Sequence, residues 1–246
     1  MNNYLIKIEY DGNKFVGWQY QKNGLSVQEK IEKALSKYLK KNIRIYGAGR
    51  TDKGVHAFGQ FANFKLNEKI KDTNKFLSGI NFFLAKTFIS IIEIKKKNLD
   101  FNARHSAKER IYEYIIVNRY ANLTLYKNRA WHIKKKLNIA LLKKGAKILE
   151  GTHDFSTFRA STCYSKSPIK KMNSVKIKKL GDKILITFKS KSFLQNQVRS
   201  MVGCLKYLAV NKWDLKKFKF IFKSKNRRLC APPAPANGLY LKNVIY

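Results

Sequence analysis

Gly47–Gln60, GAGRTDKGVHAFGQ, packs four glycines and most of the chain's concentrated chemistry into fourteen residues. It holds Arg50, Thr51, Asp52, Lys53 and His56. Glycines at this density mark backbone in unusual conformations, or backbone that another group approaches closely. Arg50 lies two residues before Asp52 and Lys53 directly after it. Cationic neighbours favour the charged form of a carboxylate. An ionised, partly enclosed carboxylate can act as nucleophile or base. On these residues alone, an aspartate that merely orders a glycine-rich turn is the favoured reading. The stretch contains neither GxxxxGK[ST] nor GxGxxG, so neither a nucleoside triphosphate site nor a dinucleotide site is supported.

The elements that must carry this loop follow from hydrophobic periodicity. Residues 4–10 (YLIKIEY) alternate as a strand and end at the turn signal Asp11-Gly12. Ser26 precedes the helical pattern VQEKIEKALSKYLKK and stands three residues before Glu29, the spacing of a capping box. A short strand near 43–46, the glycine-rich loop, a strand near 58–65, a helix near 72–83 and a strand near 88–94 complete a β-α-β-β-α-β order. The second half repeats it, with a strand over 110–118, a helix over 137–150 and strands over 169–179 and 183–190 about the Gly181-Asp182 turn. A helix over 193–209 and a closing strand over 238–246 follow; a long loop at 151–168 and an extra helix near 214–222 are insertions. The expected fold is α+β: two ferredoxin-like halves, residues 1–105 and 106–246, joined into one mixed, mainly antiparallel sheet with a central active-site cleft.

Charge narrows the partner. The chain carries 52 basic against 15 acidic residues, a net +37, and a surface of that sign attracts a polyanion, nucleic acid first. Lys outnumbers Arg by 42 to 10, a compositional drift that leaves much of the excess as solvated surface. Five of the ten arginines, Arg50, Arg104, Arg110, Arg159 and Arg199, fall within dense motifs, where a planar bidentate fork has a use. At 44% hydrophobic and 13% aromatic residues, the composition is that of a globular chain. No apolar run approaches the roughly 18 residues a membrane span needs. The N-terminal residues pass directly into a strand pattern, so no secretory signal is expected. Cys163, Cys204 and Cys230 are odd in number and far apart in sequence, which suits reduced thiols in a cytoplasm. There is no CxxC and the four histidines lack metal-ligand spacing, so no structural zinc is expected.

GRTDKGVHAFGQ closely resembles the signature loop of the TruA family of tRNA pseudouridine synthases. The resemblance continues in order along the chain: YDGNKFVGWQYQ (10–21), SVQEKIEKAL (26–35), FNARHSAKERIYEYII (101–116), GTHDFSTFR (151–159), SFLQNQVRSMVG (192–203) and APPAPANGLYL (231–241). Three departures leave the matched catalytic positions untouched: Lys53 where many relatives have Ala, INFFLAKTF without the usual Pro, and Gln197-Val-Arg for the commoner Met-Val-Arg.

The resemblance implies that Asp52 is the catalytic aspartate. It implies that Arg50 helps hold the target nucleotide out of its helix, that Tyr112 stacks on the target uracil, and that Arg199 pairs with the catalytic carboxylate. Aromatic stacking is how a flipped base is held, and an arginine beside a carboxylate fixes its rotamer. The implied reaction turns uridine into pseudouridine at about positions 38, 39 and 40 of the tRNA anticodon stem-loop. It is carried out by a cytoplasmic homodimer with no organic cofactor and no metal. A glycoside hydrolase would want two carboxylates flanking the bond; the other motif carboxylate, Asp154, reads instead as positioning its own loop. Two alternatives remain open: a pseudouridine synthase with a different RNA site choice, and a non-catalytic RNA-binding module.

Overall fold

The computed structural model describes residues 1–246. The fold is α+β, and its strand pairing is mixed but mainly antiparallel. The chain divides into two compact units, residues 1–108 with 240–246, and residues 109–239.

In the first unit, β1 (Asn2–Tyr10) lies between β3 (His56–Leu66) and β4 (Ile89–Lys97), antiparallel to both. The two-residue β2 (Tyr46–Gly47) pairs antiparallel with β3. The last strand, β10 (Leu239–Ile245), pairs parallel with the start of β3 through Tyr240 with His56 and Leu241 with Ala57. So the final residues of the sequence lie with the first unit.

Helix α1 (Val27–Leu39) begins where expected, with the Ser26 side chain accepting from the Glu29 N–H at 3.2 Å. Its buried stripe is Val27, Ile31, Ala34 and Leu35, the 3.6-residue period of a helix with one apolar face. Helix α2 (Thr73–Leu84) is capped by Asp72 and buries Phe76, Ile80 and Leu84. Phe76 lies 6.2 Å from Phe64 of β3 and 5.4 Å from Tyr38 of α1, and Phe64 meets Tyr4 of β1 at 5.9 Å. This aromatic seam ties both helices to one face of the sheet. Removing one such ring costs ~3–5 kcal/mol.

In the second unit, β9 (Lys183–Ser190) lies between β5 (Glu109–Val117) and β8 (Ile169–Leu180), antiparallel to each. The Gly181-Asp182 turn joins β8 to β9 as expected. Two short strands had no sequence signal: β6 (Trp131–His132), parallel to β5, and β7 (Gly151–Asp154), antiparallel to β8. Helices α3 (Ile139–Ile148), α4 (Gln197–Ala209) and α5 (Leu215–Lys223) complete the unit. Helix α4 starts four residues later than its apolar pattern suggests. Asn196 is left-handed, at φ 61°, and the turn before it is held by the Gln197 Oε1 atom accepting from Leu194 N–H at 2.8 Å.

Candidate active site

The Asp52 loop is fixed by backbone on both flanks. Gly17 and Asp52 form an isolated antiparallel bridge, and the Trp18 N–H donates to the Thr51 carbonyl at 3.1 Å. On their other side, the Gly17 and Trp18 carbonyls accept from the first amides of α1, Val27 at 3.2 Å and Gln28 at 3.0 Å. Residues 17–18 thus couple the N-terminus of α1 to the aspartate. Gly17 has φ +127°, and a side chain there would meet the Thr51 carbonyl, so the close approach needs glycine. Behind Asp52, the Val55 N–H donates to the Asp52 carbonyl at 3.1 Å, and the Gly49 carbonyl accepts from the Gln60 Nε2 atom at 2.8 Å. Asp52 is half-buried; Arg50 and Lys53 are exposed.

Side chains from the first strand and turn reinforce this. The buried Thr51 hydroxyl lies 2.8 Å from the Tyr10 hydroxyl. The buried His56 ring accepts at Nδ1 from the Gly12 N–H at 3.0 Å and lies 3.3 Å from Asp11. Gly12 passes so close to loop backbone that an added Cβ would sit 2.1 Å from the Val55 oxygen. His56 also stacks on Tyr240 at 4.7 Å, and Tyr240 on Phe58 at 4.5 Å. A carboxylate held this way loses little freedom on binding a substrate, the condition for pre-organised catalysis.

Of the four site residues expected from the sequence, Arg50 and Asp52 share this loop in the first unit, and Tyr112 and Arg199 belong to the second. Tyr112 lies on β5, opposite Phe188 of β9, and packs edge-on against Phe193 with ring centres 5.0 Å apart. It keeps 8% of its surface. Arg199 lies in the first turn of α4. Its Nε donates to the Ala234 carbonyl at 2.7 Å and its Nη1 to the Asn196 Oδ1 atom at 3.1 Å. The Ala234 N–H returns a bond to the Arg199 carbonyl at 2.9 Å. Tyr114 ties down the same segment, donating to the Pro235 carbonyl at 2.7 Å. Burial pushes the Tyr114 phenol far above its ordinary range, with Arg199 opposing, so it stays a neutral donor.

Asp154 occupies a supporting position. Its Oδ1 accepts from the Ser156 N–H at 2.8 Å and its Oδ2 lies 3.7 Å from the Lys225 ammonium. Burial works against ionisation, but the Ser156 bonds and Lys225 outweigh it and hold the carboxyl below its ordinary range. In the same motif Phe155, Thr157 and Phe158 are buried. Phe155 and Phe158 pack on Phe222 of α5, each at 5.4 Å, and the Thr157 hydroxyl bonds the α5 carbonyls of Ile221 and Phe222. Arg159 donates to the carbonyls of Cys163 and Ser165, and Arg110 to that of Lys191. These motif arginines make contacts that brace loops.

Sequence reasoning missed Tyr10, Gly12, His56, Tyr114 and Asn196 as supports of the site. His56 carried a signal, being inside the dense loop. Tyr10, Gly12 and Tyr114 act on partners tens of residues away, which local spacing does not reveal, and Asn196 acts through a left-handed backbone that its residue type alone does not announce.

The geometry defines an α+β protein whose main chemical feature is one carboxylate on a rigid glycine-rich loop. The sequence profile of the tRNA pseudouridine synthase family matches residues 6–106 and 146–246. The tRNA pseudouridine synthase A of Pelagibacter ubique (strain HTCC1062) is 59% identical over 246 residues, 100% of both chains. That of Maricaulis maris (strain MCS10) is 42% identical over 100% of this chain and 98% of its own. That of Parvibaculum lavamentivorans (strain DS-1 / DSM 13023 / NCIMB 13966) is 41% identical over 100% of both. The chain belongs to the tRNA pseudouridine synthase family, of TruA type.

Proposed function

We propose that this chain isomerises uridine to pseudouridine in the anticodon stem-loop of tRNA, at about positions 38, 39 and 40, with Asp52 as the catalytic carboxylate. The observation that carries the reading is the pinning of Asp52: backbone bonds to residues 17, 18 and 55 hold its loop from two sides. The family membership supports the tRNA substrate.

In this reaction the N1–C1′ bond of the uridine breaks, the uracil turns, and C5 bonds to C1′. The C5 proton is lost and N1 gains one, so the product is an isomer and the atoms balance without a co-reactant. Asp52 serves either by attacking C1′ or by removing a proton next to it to give a glycal-type intermediate. Arg50, on the same loop and exposed, holds the target nucleotide out of its helix. Tyr112 stacks on the uracil, and Arg199 pairs with the carboxylate. The reading includes a cytoplasmic homodimer that needs neither metal nor organic cofactor. No helix is long and apolar enough to cross a membrane.

The test is pseudouridine mapping at nucleotide resolution on an unmodified tRNA transcript, with no cofactor added. Wild type is expected to modify uridines of the lower anticodon arm, and Asp52→Asn to lose about 10³-fold or more of that activity. Product at other positions would keep the chemistry and overturn the site choice. No product, with tight tRNA binding by both proteins, would overturn the enzyme reading.

A further inference from the structure

Two of the three cysteines, distant in sequence, meet in the second unit. The Sγ atoms of Cys204 in α4 and Cys230 lie 3.4 Å apart, while Cys163 stands elsewhere. All three are free thiols. The proposed isomerisation uses none of them. Cys204 is buried and Cys230 is partly exposed, so a small molecule reaches Cys230 first. The hydrogen bond from Cys204 holds the Cys230 thiol below its ordinary range; burial opposes this and the Arg227 guanidinium assists it. Arg227 is itself anchored, its Nη1 donating to the Ser200 hydroxyl at 3.0 Å. A partly exposed thiol beside an arginine and a second thiol is the arrangement of a reactive cysteine with its resolving partner.

We propose that Cys230 and Cys204 form a site of reversible oxidation by hydroperoxides, with Cys230 the attacking sulfur and Cys204 the resolving one. The Cys230 thiolate attacks the outer oxygen of the hydroperoxide. The O–O bond breaks, the alcohol or water leaves with a proton, and Cys230 becomes a sulfenic acid. The Cys204 sulfur then attacks Cys230, the S–O bond breaks, and water leaves with the Cys204 proton. The two thiols supply two electrons, and the peroxide accepts both. The sulfurs close from 3.4 Å to about 2.05 Å. The bond spans a seam already drawn together at its other end, where Ala234 exchanges two hydrogen bonds with Arg199. Oxidation therefore adds a covalent tie between α4 and the segment that braces Arg199.

The experiment uses reduced protein, freed of reductant and treated with hydrogen peroxide, followed by thiol counting after denaturation and non-reducing peptide mapping. In a Cys163→Ala background, two thiols are expected before treatment and none after, with a linked 204–230 peptide pair that dithiothreitol separates. Cys204→Ala is expected to stop at a sulfenic acid on Cys230, captured by dimedone. Retention of both thiols at peroxide levels that oxidise a free thiol control would overturn the proposal. So would trapping of the sulfenic acid on Cys204, or linkage of wild-type Cys163 in place of either partner.

Discussion

Main-chain bonds place the loop that carries Asp52 and the strand that carries Tyr112, whereas the Arg199 guanidinium is held by the Ala234 carbonyl and the Asn196 side chain. Asp52→Asn leaves the Gly17 bridge and the Val55 bond intact, since both involve backbone, so the loop is expected to keep its path in the variant. In the proposed reading Tyr112 offers a ring face to the uracil; its ring rests edge-on against Phe193. Stacking of a base on an aromatic ring is worth ~1–3 kcal/mol. Tyr112→Ala is therefore expected to lower kcat/KM for tRNA by about 10- to 100-fold, and Tyr112→Phe, which keeps the ring, to lower it far less. Equal losses in the two variants, measured by steady-state kinetics, would show that the hydroxyl and not the face matters.

At the scale of elements, the entry to α4 makes the sharpest prediction. Asn196 combines a left-handed backbone with an Oδ1 atom that receives Arg199. Asn196→Gly keeps the first and removes the second. It is expected to unfold in urea within about 0.5 kcal/mol of wild type while turning over severalfold more slowly. Asn196→Ala should lose both stability and turnover, the backbone part costing ~1–2 kcal/mol. Parallel losses in the glycine variant would place the role in folding alone. The β7 turn offers a second prediction. The Asp154 carboxyl is held below its ordinary range, so it adds stability that is present above that range and is lost as pH falls through the lowered value. Asp154→Asn is expected to remove part of the acid limb of the stability–pH curve, read by thermal melts from neutral pH downward. An unchanged acid limb would mean that Ser156 and Lys225 do not favour the charged form.

The same element shows what the sequence disclosed. Helix α4, with its run of Val198, Met201, Val202 and Leu205, is legible because burial imposes a period. The expected start at 193 lies four residues early because Phe193 and Leu194 extend the apolar pattern into a turn that ends at the left-handed Asn196. The Asp52 loop was legible because its glycines and charges are contiguous. The supports were not, since Tyr10 with Thr51 and Gly12 with His56 are 41 and 44 residues apart and no short window contains both partners. Strands β6 and β7, two and four residues long, are too short to show alternation. At residues 42–45 the Ile43 and Ile45 N–H groups donate to the side chains of Ser36 and Glu32 in α1, and the expected strand near 43–46 shrinks to Tyr46–Gly47.

Over the whole molecule the basic excess is uneven. The second unit carries 30 basic and 6 acidic residues, the first 22 and 9. Affinity for a phosphate backbone gained this way falls as a power of salt, with an exponent of about 0.9 per phosphate neutralised on a duplex. The tRNA dissociation constant is expected to rise at least tenfold between 50 and 200 mM salt, a range over which about six or more phosphate contacts lose roughly 10³-fold. Filter binding at several salt concentrations checks this. A flat response would mean that the lysines only solvate the surface, as the drift toward Lys over Arg would allow.

The parallel pairing of β10 with β3 also sets an order of events on the ribosome. The unit that bears Asp52 takes its last strand from residues made some 170 positions after β3. At translation rates of about 5–20 residues per second, that is a delay of ~10–35 s. Throughout it, the start of β3 lacks its partner on the β10 side, and Tyr240 is not yet there to stack on His56. A polypeptide cut short before residue 240 would hold Arg50 and Asp52 and still lack the strand that pairs with the start of β3.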